Sequence, residues 1–441
     1  MPKLLLVLYN LIAVPLLKVA VGLGRLINGK VRRAVVGRRN LFVELPQKLA
    51  ALDPHAPRLW IHACSMGEFE QARPVVAAVR ERLKPVAVVL SVTSPSVYGH
   101  IDHKQEADVV TYLPVDGPLA ARRFVRLVRP DVALVVRHDI WPNHLGQLQR
   151  YRVPSLLIDA SLSPKIAPET WRGRLVGRLL YGGFDYILTT APKEVDRLRR
   201  VAGRNPHIVT MGDTRYDQVQ RRALENDRVL DLQTRFRQGP VLVAGSTWPA
   251  DDKYLLPALT KLRSEFPQLQ VILVPHEPHP EHLSILEGQL ANHGLSSVRL
   301  SAWRSDPHAP NGVLVVDEMG ILANIYSVAD LAYVGGGFTS GVHSVLEPAV
   351  YGIPVLFGPR HQNSLEALEL ASRGGGFCVT GTEEMTERIT LLLRDEGARI
   401  RAGREARAMV QERLGATARI VDLVESLLKE RKAGHVEGLD T

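Results

Sequence analysis

From about residue 58 onward, short runs of β-branched and aliphatic residues alternate with longer stretches of helical periodicity. The apolar runs at 59–62, 86–91, 109–112, 132–136, 155–158 and 186–189 predict buried strands. Between them, patterns such as 69–83 and 119–128 predict helices. This is the rhythm of a parallel α/β sheet. It breaks across the charged stretch 221–238 and restarts with apolar runs at 241–244, 270–274, 313–315, 331–334 and 355–357. Two consecutive Rossmann-like halves facing a cleft are expected, with ligands held by residues just after the strands. The expected division is a basic-flanked apolar segment at 1–40, halves at 41–220 and 221–425, and a tail at 426–441.

Ahead of the first strand, residues 4–23 are mostly apolar, interrupted by Asn10, Pro15 and Lys18. About 20 such residues suffice to span a bilayer, although a lysine and a proline inside make the span marginal. A cleaved signal peptide and a buried core helix are the rival readings. No clear small-x-small cleavage site follows, only a dense basic stretch, which favours an uncleaved anchor, spanning or shallow.

Charge sharpens that reading. The 441 residues carry a net charge of +9, but residues 1–40 hold eight bases and no acid, leaving 47 bases against 46 acids elsewhere. A basic collar beside an apolar helix fits anionic lipid on the cytoplasmic side of a membrane. With the excess confined there and no aromatic-basic platform, no nucleic-acid partner is expected. Two cysteines, Cys64 and Cys378, supply no disulfide framework and no cysteine zinc site.

Candidate chemistry sits in the loops after the strands. The first strand leads into Cys64-Ser65-Met66-Gly67-Glu68, with the helix beginning near Glu68. Glu68 is either a first-turn acid complementing the helix dipole or a general base offered to the cleft. Cys64 is the weaker alternative as a nucleophile, since apolar neighbours disfavour the thiolate. Arg137-His138-Asp139 before Trp141-Pro142-Asn143 is either a structural turn or a charged cleft edge. In the second half, Gly245-Ser246-Thr247 before a helix suggests an anion cradle, without the spacing of a P-loop. His276 lies in a proline-broken loop whose spacing disfavours a metal site and favours contact with a ligand. The most specific stretch is Gly335-Gly336-Gly337, then His343-Ser344-Val345-Leu346-Glu347-Pro348-Ala349, then Gly352-Ile353-Pro354-Val355. Glycines after a strand let backbone approach a phosphate, and a following helix would hold Glu347 one turn from His343, within reach of ribose hydroxyls. A nucleotide-sugar site follows from that combination; an NAD fingerprint does not.

Together these residues resemble the 3-deoxy-D-manno-octulosonic acid (Kdo) transferases, bacterial glycosyltransferases of the GT-B fold. The resemblance runs from the N-terminal anchor through Trp60 to Glu68, Pro114-Val115-Asp116, Trp141-Pro142-Asn143, Gly245-Ser246-Thr247, Asp317-Glu318-Met319-Gly320, Tyr326, Ala329-Asp330 and the glycine-rich block. It implies inverting transfer of Kdo from CMP-Kdo to the lipid A precursor lipid IVA, at the cytoplasmic face of the inner membrane, without a metal ion or other cofactor. Glu68 matches the general base and Arg215 a cation offsetting transition-state charge. Pro275 and His276, Met319, Gly320 and Ile321, and Ser344, Val345, Leu346 and Glu347 match segments that hold CMP. Ser246, Thr247, Gly336 and Gly337 join that set through the cradle reading. The chain departs from the family where two glutamates are common and Arg137 and Asp139 stand here. It departs again at Trp248 (commonly histidine), Ser344 (usually asparagine) and Ile321 (usually glutamate). The alternatives are a GT-B transferase using a UDP-sugar and a non-catalytic lipid-binding scaffold.

Overall fold

A computed structural model describes residues 3–99, 101, 106–225, 227–236, 239–306 and 312–437. The chain divides into two compact units, one running through Gln218 and resuming at Leu414, the other spanning Val219–Arg413. The boundary falls inside a helix, Thr214–Leu224. The division differs from the sequence expectation at the C-terminus. There the helix Ala416–Glu437 returns to the first unit, burying Ile420, Val421, Val424, Leu427 and Leu428 with Val75, Val76 and Val79.

The first unit holds β1 Arg58–His62, β2 Ala87–Val92, β3 Val109–Tyr112, β4 Val132–Val136, β5 Ser155–Ala160, β6 Tyr186–Thr189 and β7 His207–Thr210. They form one parallel sheet in the order β3-β2-β1-β4-β5-β6-β7. The second unit holds β8 Val241–Thr247, β9 Gln270–Pro275, β10 Ser297–Arg299, β11 Val313–Val315, β12 Leu331–Val334, β13 Val355–Phe357 and β14 Gly376–Cys378. Its parallel order is β10-β11-β9-β8-β12-β13-β14. Both sheets are covered by helices on both faces. In β1, Leu59 and Ile61 enter one core and Trp60 the other, so the near-continuous apolar runs are satisfied on both sides. This is the two-Rossmann architecture of the GT-B fold.

Each sheet has one switch point, between β1 and β4 and between β8 and β12, where consecutive connections depart in opposite directions. A crevice opens beyond the strand C-termini at such points. Glu68 follows β1 in the first turn of the next helix, and Arg137 and Asp139 lie in the loop after β4; Ser246 sits in the last residues of β8 and Gly336 in the loop after β12.

At the N-terminus, Leu4–Ile27 is a continuous 24-residue helical stretch with an 18-residue window of mean hydropathy 2.3, long and apolar enough to cross a membrane. Tyr9, Asn10 and Val14 touch the body, Tyr9 through a side-chain hydrogen bond with Asp116. The Asn143 side-chain amide donates to Asn10 Oδ1 at 2.7 Å, and Val14 is buried beside Gly117. In the collar, Arg25, Lys30, Arg32, Arg33 and Arg39 are exposed, but Arg38 turns inward. It donates to the Leu113 and Thr93 carbonyl oxygens at 2.7 and 3.1 Å, and burial lowers its pKa.

Candidate active site

Ser65 caps the helix Met66–Arg82, its hydroxyl accepting from the Glu68 amide at 3.3 Å. The Glu68 carboxylate folds back, Oε2 accepting from the Cys64 amide at 2.6 Å. One oxygen therefore does the capping work of a first-turn acid, and among the described residues Oε1 accepts no hydrogen bond. Burial raises the Glu68 pKa, and the Asp139 carboxylate adds to that against the pull of the Cys64 amide and His62. The same surroundings push the Cys64 thiol up to about 12, through burial first and Asp139 second, which leaves it a protonated bystander.

Asp139 is the terminus of a buried chain. Trp60 Nε1 donates to Ser91 Oγ at 2.7 Å, Ser91 Oγ lies 2.9 Å from His62 Nδ1, and His62 Nε2 meets Asp139 Oδ2 at 2.9 Å. Burial would raise the Asp139 pKa, but the hydrogen bond and charge of His62 win and hold it below the ordinary carboxylate range. Asp139 thus stays ionised beside Glu68 and lifts that residue's proton affinity. Arg137, in the left-handed region at φ 57°, carries a buried Nε with no partner among the described residues.

Arg215 grips Asp213 through Nε and Nη2, at 3.0 and 2.6 Å to Oδ2. The neighbouring Thr214 amide donates to Asp159 Oδ1 at 2.9 Å, its hydroxyl bonds Asp159 Oδ2, and that hydroxyl lies 2.8 Å from the Gln71 carbonyl. Gln218 Nε2 donates to Glu70 at 2.8 Å, so the helix bearing Arg215 is fastened to the helix bearing Glu68. Asp159 is fully buried, sits at φ 50°, and is pushed up to about 7 by burial and then by the Asp213 charge. An acid whose folded-state pKa exceeds its free value of about 4 loses stability as pH rises between the two. Asp159→Asn should therefore raise the melting temperature at pH 8.5 and change it little at pH 4.5, read by thermal unfolding at both; an equal shift at the two would contradict this.

In the second unit the fully buried Asp251 organises the site. Its Oδ2 accepts from the Trp248 and Gly336 amides, both at 2.9 Å, and its Oδ1 from the Tyr333 hydroxyl at 2.8 Å. The loops after β8 and β12 are thereby tied together. The Gly335 amide is also spent, on Gly245 O at 2.9 Å. The glycines answer to protein backbone: a Cβ on Gly335 would sit 2.3 Å from Ser246 O, and one on Gly337 2.5 Å from the Gly358 nitrogen. The Gly336 amide is therefore not a donor left for a phosphate, because Asp251 has taken it.

Burial limits how other expected positions could meet a ligand. Thr247, Ile321, Val345 and Leu346 are all buried, their side chains packed inward, so any ligand contact at Ile321, Val345 and Leu346 is through backbone. Ile321 caps the short helix Leu322–Ile325 from within the core. The helix after the glycines is one turn, Leu346–Ala349, and His343 lies outside it. Exposed or half-buried groups remain at Ser246, His276, Met319, Ser344 and Glu347, with Gly320 at φ 80° after Met319. Pro275 ends β9, and the His276 amide donates to Thr247 O at 3.0 Å. Among the described residues no group of three or more His, Cys, Asp and Glu is arranged to hold a metal ion. The sequence reading missed the roles of Asp251, Asp159 and the His62 chain; the Asp251-Asp252 pair just inside a helix was the available signal for the first.

Residues 39–218 match the family described as 3-Deoxy-D-manno-octulosonic-acid transferase (kdotransferase). A 3-deoxy-D-manno-octulosonic acid transferase of Bordetella pertussis is 30% identical over 387 residues, covering 85% of this chain and 88% of that one. The chain belongs to the Kdo transferase family. A second family member, from Aquifex aeolicus, is 27% identical over 338 residues, covering 76% of this chain and 86% of its own. The fold extends beyond the Kdo transferases: the crystal structure of a UDP-GlcNAc 2-epimerase from Neisseria meningitidis, bound to UDP-GlcNAc, superposes with a TM-score of 0.58 at 14% identity, covering 84% of this chain and all of that one. Membership makes this chain a glycosyltransferase of lipopolysaccharide biosynthesis, built on the pair of sheets described above.

Proposed function

We propose that the chain transfers Kdo from CMP-Kdo to a lipid A precursor with inversion, and that Glu68 is the base. Family membership supports the donor and the acceptor class. The observation that carries the base assignment is the Glu68 carboxylate at the β1/β4 switch point, with one oxygen fixed by the Cys64 amide and the other uncommitted. In the step, an acceptor hydroxyl oxygen bonds to the anomeric carbon of Kdo while the bond from that carbon to the phosphate oxygen breaks. The hydroxyl proton passes to Glu68 Oε1, and CMP leaves with the bonding electrons. Arg215, pre-oriented by Asp213, supplies positive charge for the departing phosphate without reorganising at the moment of reaction. Ser344, Glu347 and His276 are assigned to the nucleotide. The chemistry as written needs no metal ion. Transfer from CMP-Kdo, and none from UDP-sugars, is the expected donor pattern; turnover of a UDP-sugar alone sinks the assignment.

The apolar N-terminal helix and its collar are assigned to the cytoplasmic face of the inner membrane. Asn10 and Val14 lie in the middle of the apolar stretch and touch the soluble body, which supports a helix lying in the lipid interface rather than one crossing it. Exposed Arg25, Lys30, Arg32, Arg33 and Arg39 would meet anionic headgroups, at about 1 kcal/mol each near the surface. Cysteine labelling in sealed inverted vesicles tests this. Residues on both sides of the helix should react with an impermeant reagent from the cytoplasmic side, and protection of either end would contradict it.

A further inference from the structure

Three rings in the second unit form an arrangement that the family pattern does not supply, because Trp248 stands where histidine is common. Trp248 Nε1 lies 2.9 Å from His343 Nε2. An indole nitrogen only donates, so His343 Nε2 must present its lone pair, and the ring is neutral with its proton on Nδ1. The indole and imidazole planes differ by 16° with centroids 6.4 Å apart, the geometry of two rings joined edge to edge. His276 lies over the seam, its centroid 4.7 Å from Trp248 and 4.3 Å from His343, tilted by 29° and 15°.

Every member of this stack is held through its own backbone amide. Asp251 holds the Trp248 amide, Thr247 O holds the His276 amide, and Gly335 O holds the His343 amide. Gly336 closes the remaining side, where a Cβ would stand 2.9 Å from His343 Cδ2. The charged and titratable neighbours are His276 and Asp251: burial lowers the His343 pKa, His276 lowers it further, and Asp251 opposes. His343 Nδ1 donates no hydrogen bond among the described residues. The loops that meet here, after β8, β9 and β12, are the ones on which the donor-binding residues are carried.

We propose that Trp248 is a positioning residue for the nucleotide donor. Its indole N–H locks His343 as the neutral Nδ1–H tautomer and seats it on His276, so that a single fixed imidazole N–H faces an anionic, ring-bearing ligand. This deepens the Kdo-transfer reading and rests on it. The hydroxyl-free, proton-donating edge of tryptophan thus takes over a task that histidine performs only in one of its tautomers.

The test uses the full chain in detergent with CMP as the probe. Trp248→Phe keeps the stack and removes the donor, and Trp248→His restores a ring N–H. In the wild type, nitrogen-15 NMR of histidine should show His343 as the Nδ1–H tautomer, and in Trp248→Phe that fixed signature should be lost. CMP affinity should fall about tenfold in Trp248→Phe, the value of one well-placed hydrogen bond, and recover largely in Trp248→His. With CMP-Kdo the loss should fall on KM rather than kcat. Unchanged CMP affinity in Trp248→Phe, or an unchanged His343 tautomer, overturns the proposal while leaving the transferase reading intact. A wild-type chain that binds no CMP overturns the donor reading itself.

Discussion

Replacing Glu68 by alanine should lower kcat by roughly 10²–10⁴-fold, the usual contribution of a positioned base. CMP affinity should be nearly unchanged, because Ser344, Glu347 and His276, the residues assigned to the nucleotide, belong to the other unit. The substitution also deletes the cap on the Cys64 amide, so loss of activity alone is ambiguous. Glu68→Gln resolves this: its side-chain oxygen still accepts from Cys64 but cannot take a proton, and it should be as inactive as alanine while melting like the wild type. A second signature is the acid limb of the rate profile. Burial raises the Glu68 pKa, and a base works only when ionised, so activity should fall on acidification at a pH above the ordinary glutamate range. Asp139→Asn removes the neighbouring charge that contributes to this shift and should move the limb to lower pH. A limb that does not move would exclude Glu68 as the titrating group.

Replacing Asp251 by alanine should abolish donor binding and strongly destabilise the second unit. The carboxylate collects three buried donors, from Trp248, Gly336 and Tyr333. Leaving such groups unpaired costs about 1–3 kcal/mol each, comparable to the stability of a domain when summed. The expected result is a melting temperature lowered by many degrees and CMP binding lost at saturating concentrations. Tyr333→Phe removes one donor only and should cost far less. If Asp251→Ala binds CMP like the wild type, the loops after β8 and β12 do not depend on this clamp.

What the sequence made legible follows the physics of burial. Interior strand β4 is apolar throughout and β2 carries only Ser91 as a polar residue, and their runs announce them. The edge strands β7, β10 and β14 escaped, because each has a solvent-facing side or a glycine in place of a continuous apolar run. The helix Ala416–Glu437 runs across the expected boundary at 425 into what was expected to be a tail, and its return to the first unit is a long-range packing event that local periodicity does not encode. Glu68 was legible from its place after β1, with the capping and catalytic readings undecided. The geometry gives one oxygen to the cap and leaves the other without a hydrogen bond among the described residues. Arg215 was reachable only through the family resemblance, since its pairing with Asp213 leaves no spacing signature. Asp251 was invisible as a clamp because its partners Tyr333 and Gly336 lie 82 and 85 residues away.

The central claim, Kdo transfer through Glu68, is tested most directly by product mass. The full chain is incubated with CMP-Kdo and a tetra-acylated lipid A precursor, beside the Glu68→Gln variant. The account predicts a lipid product heavier by whole Kdo units in the wild type and essentially none in the variant. An unchanged lipid mass with the wild type, or equal product with the variant, would contradict it.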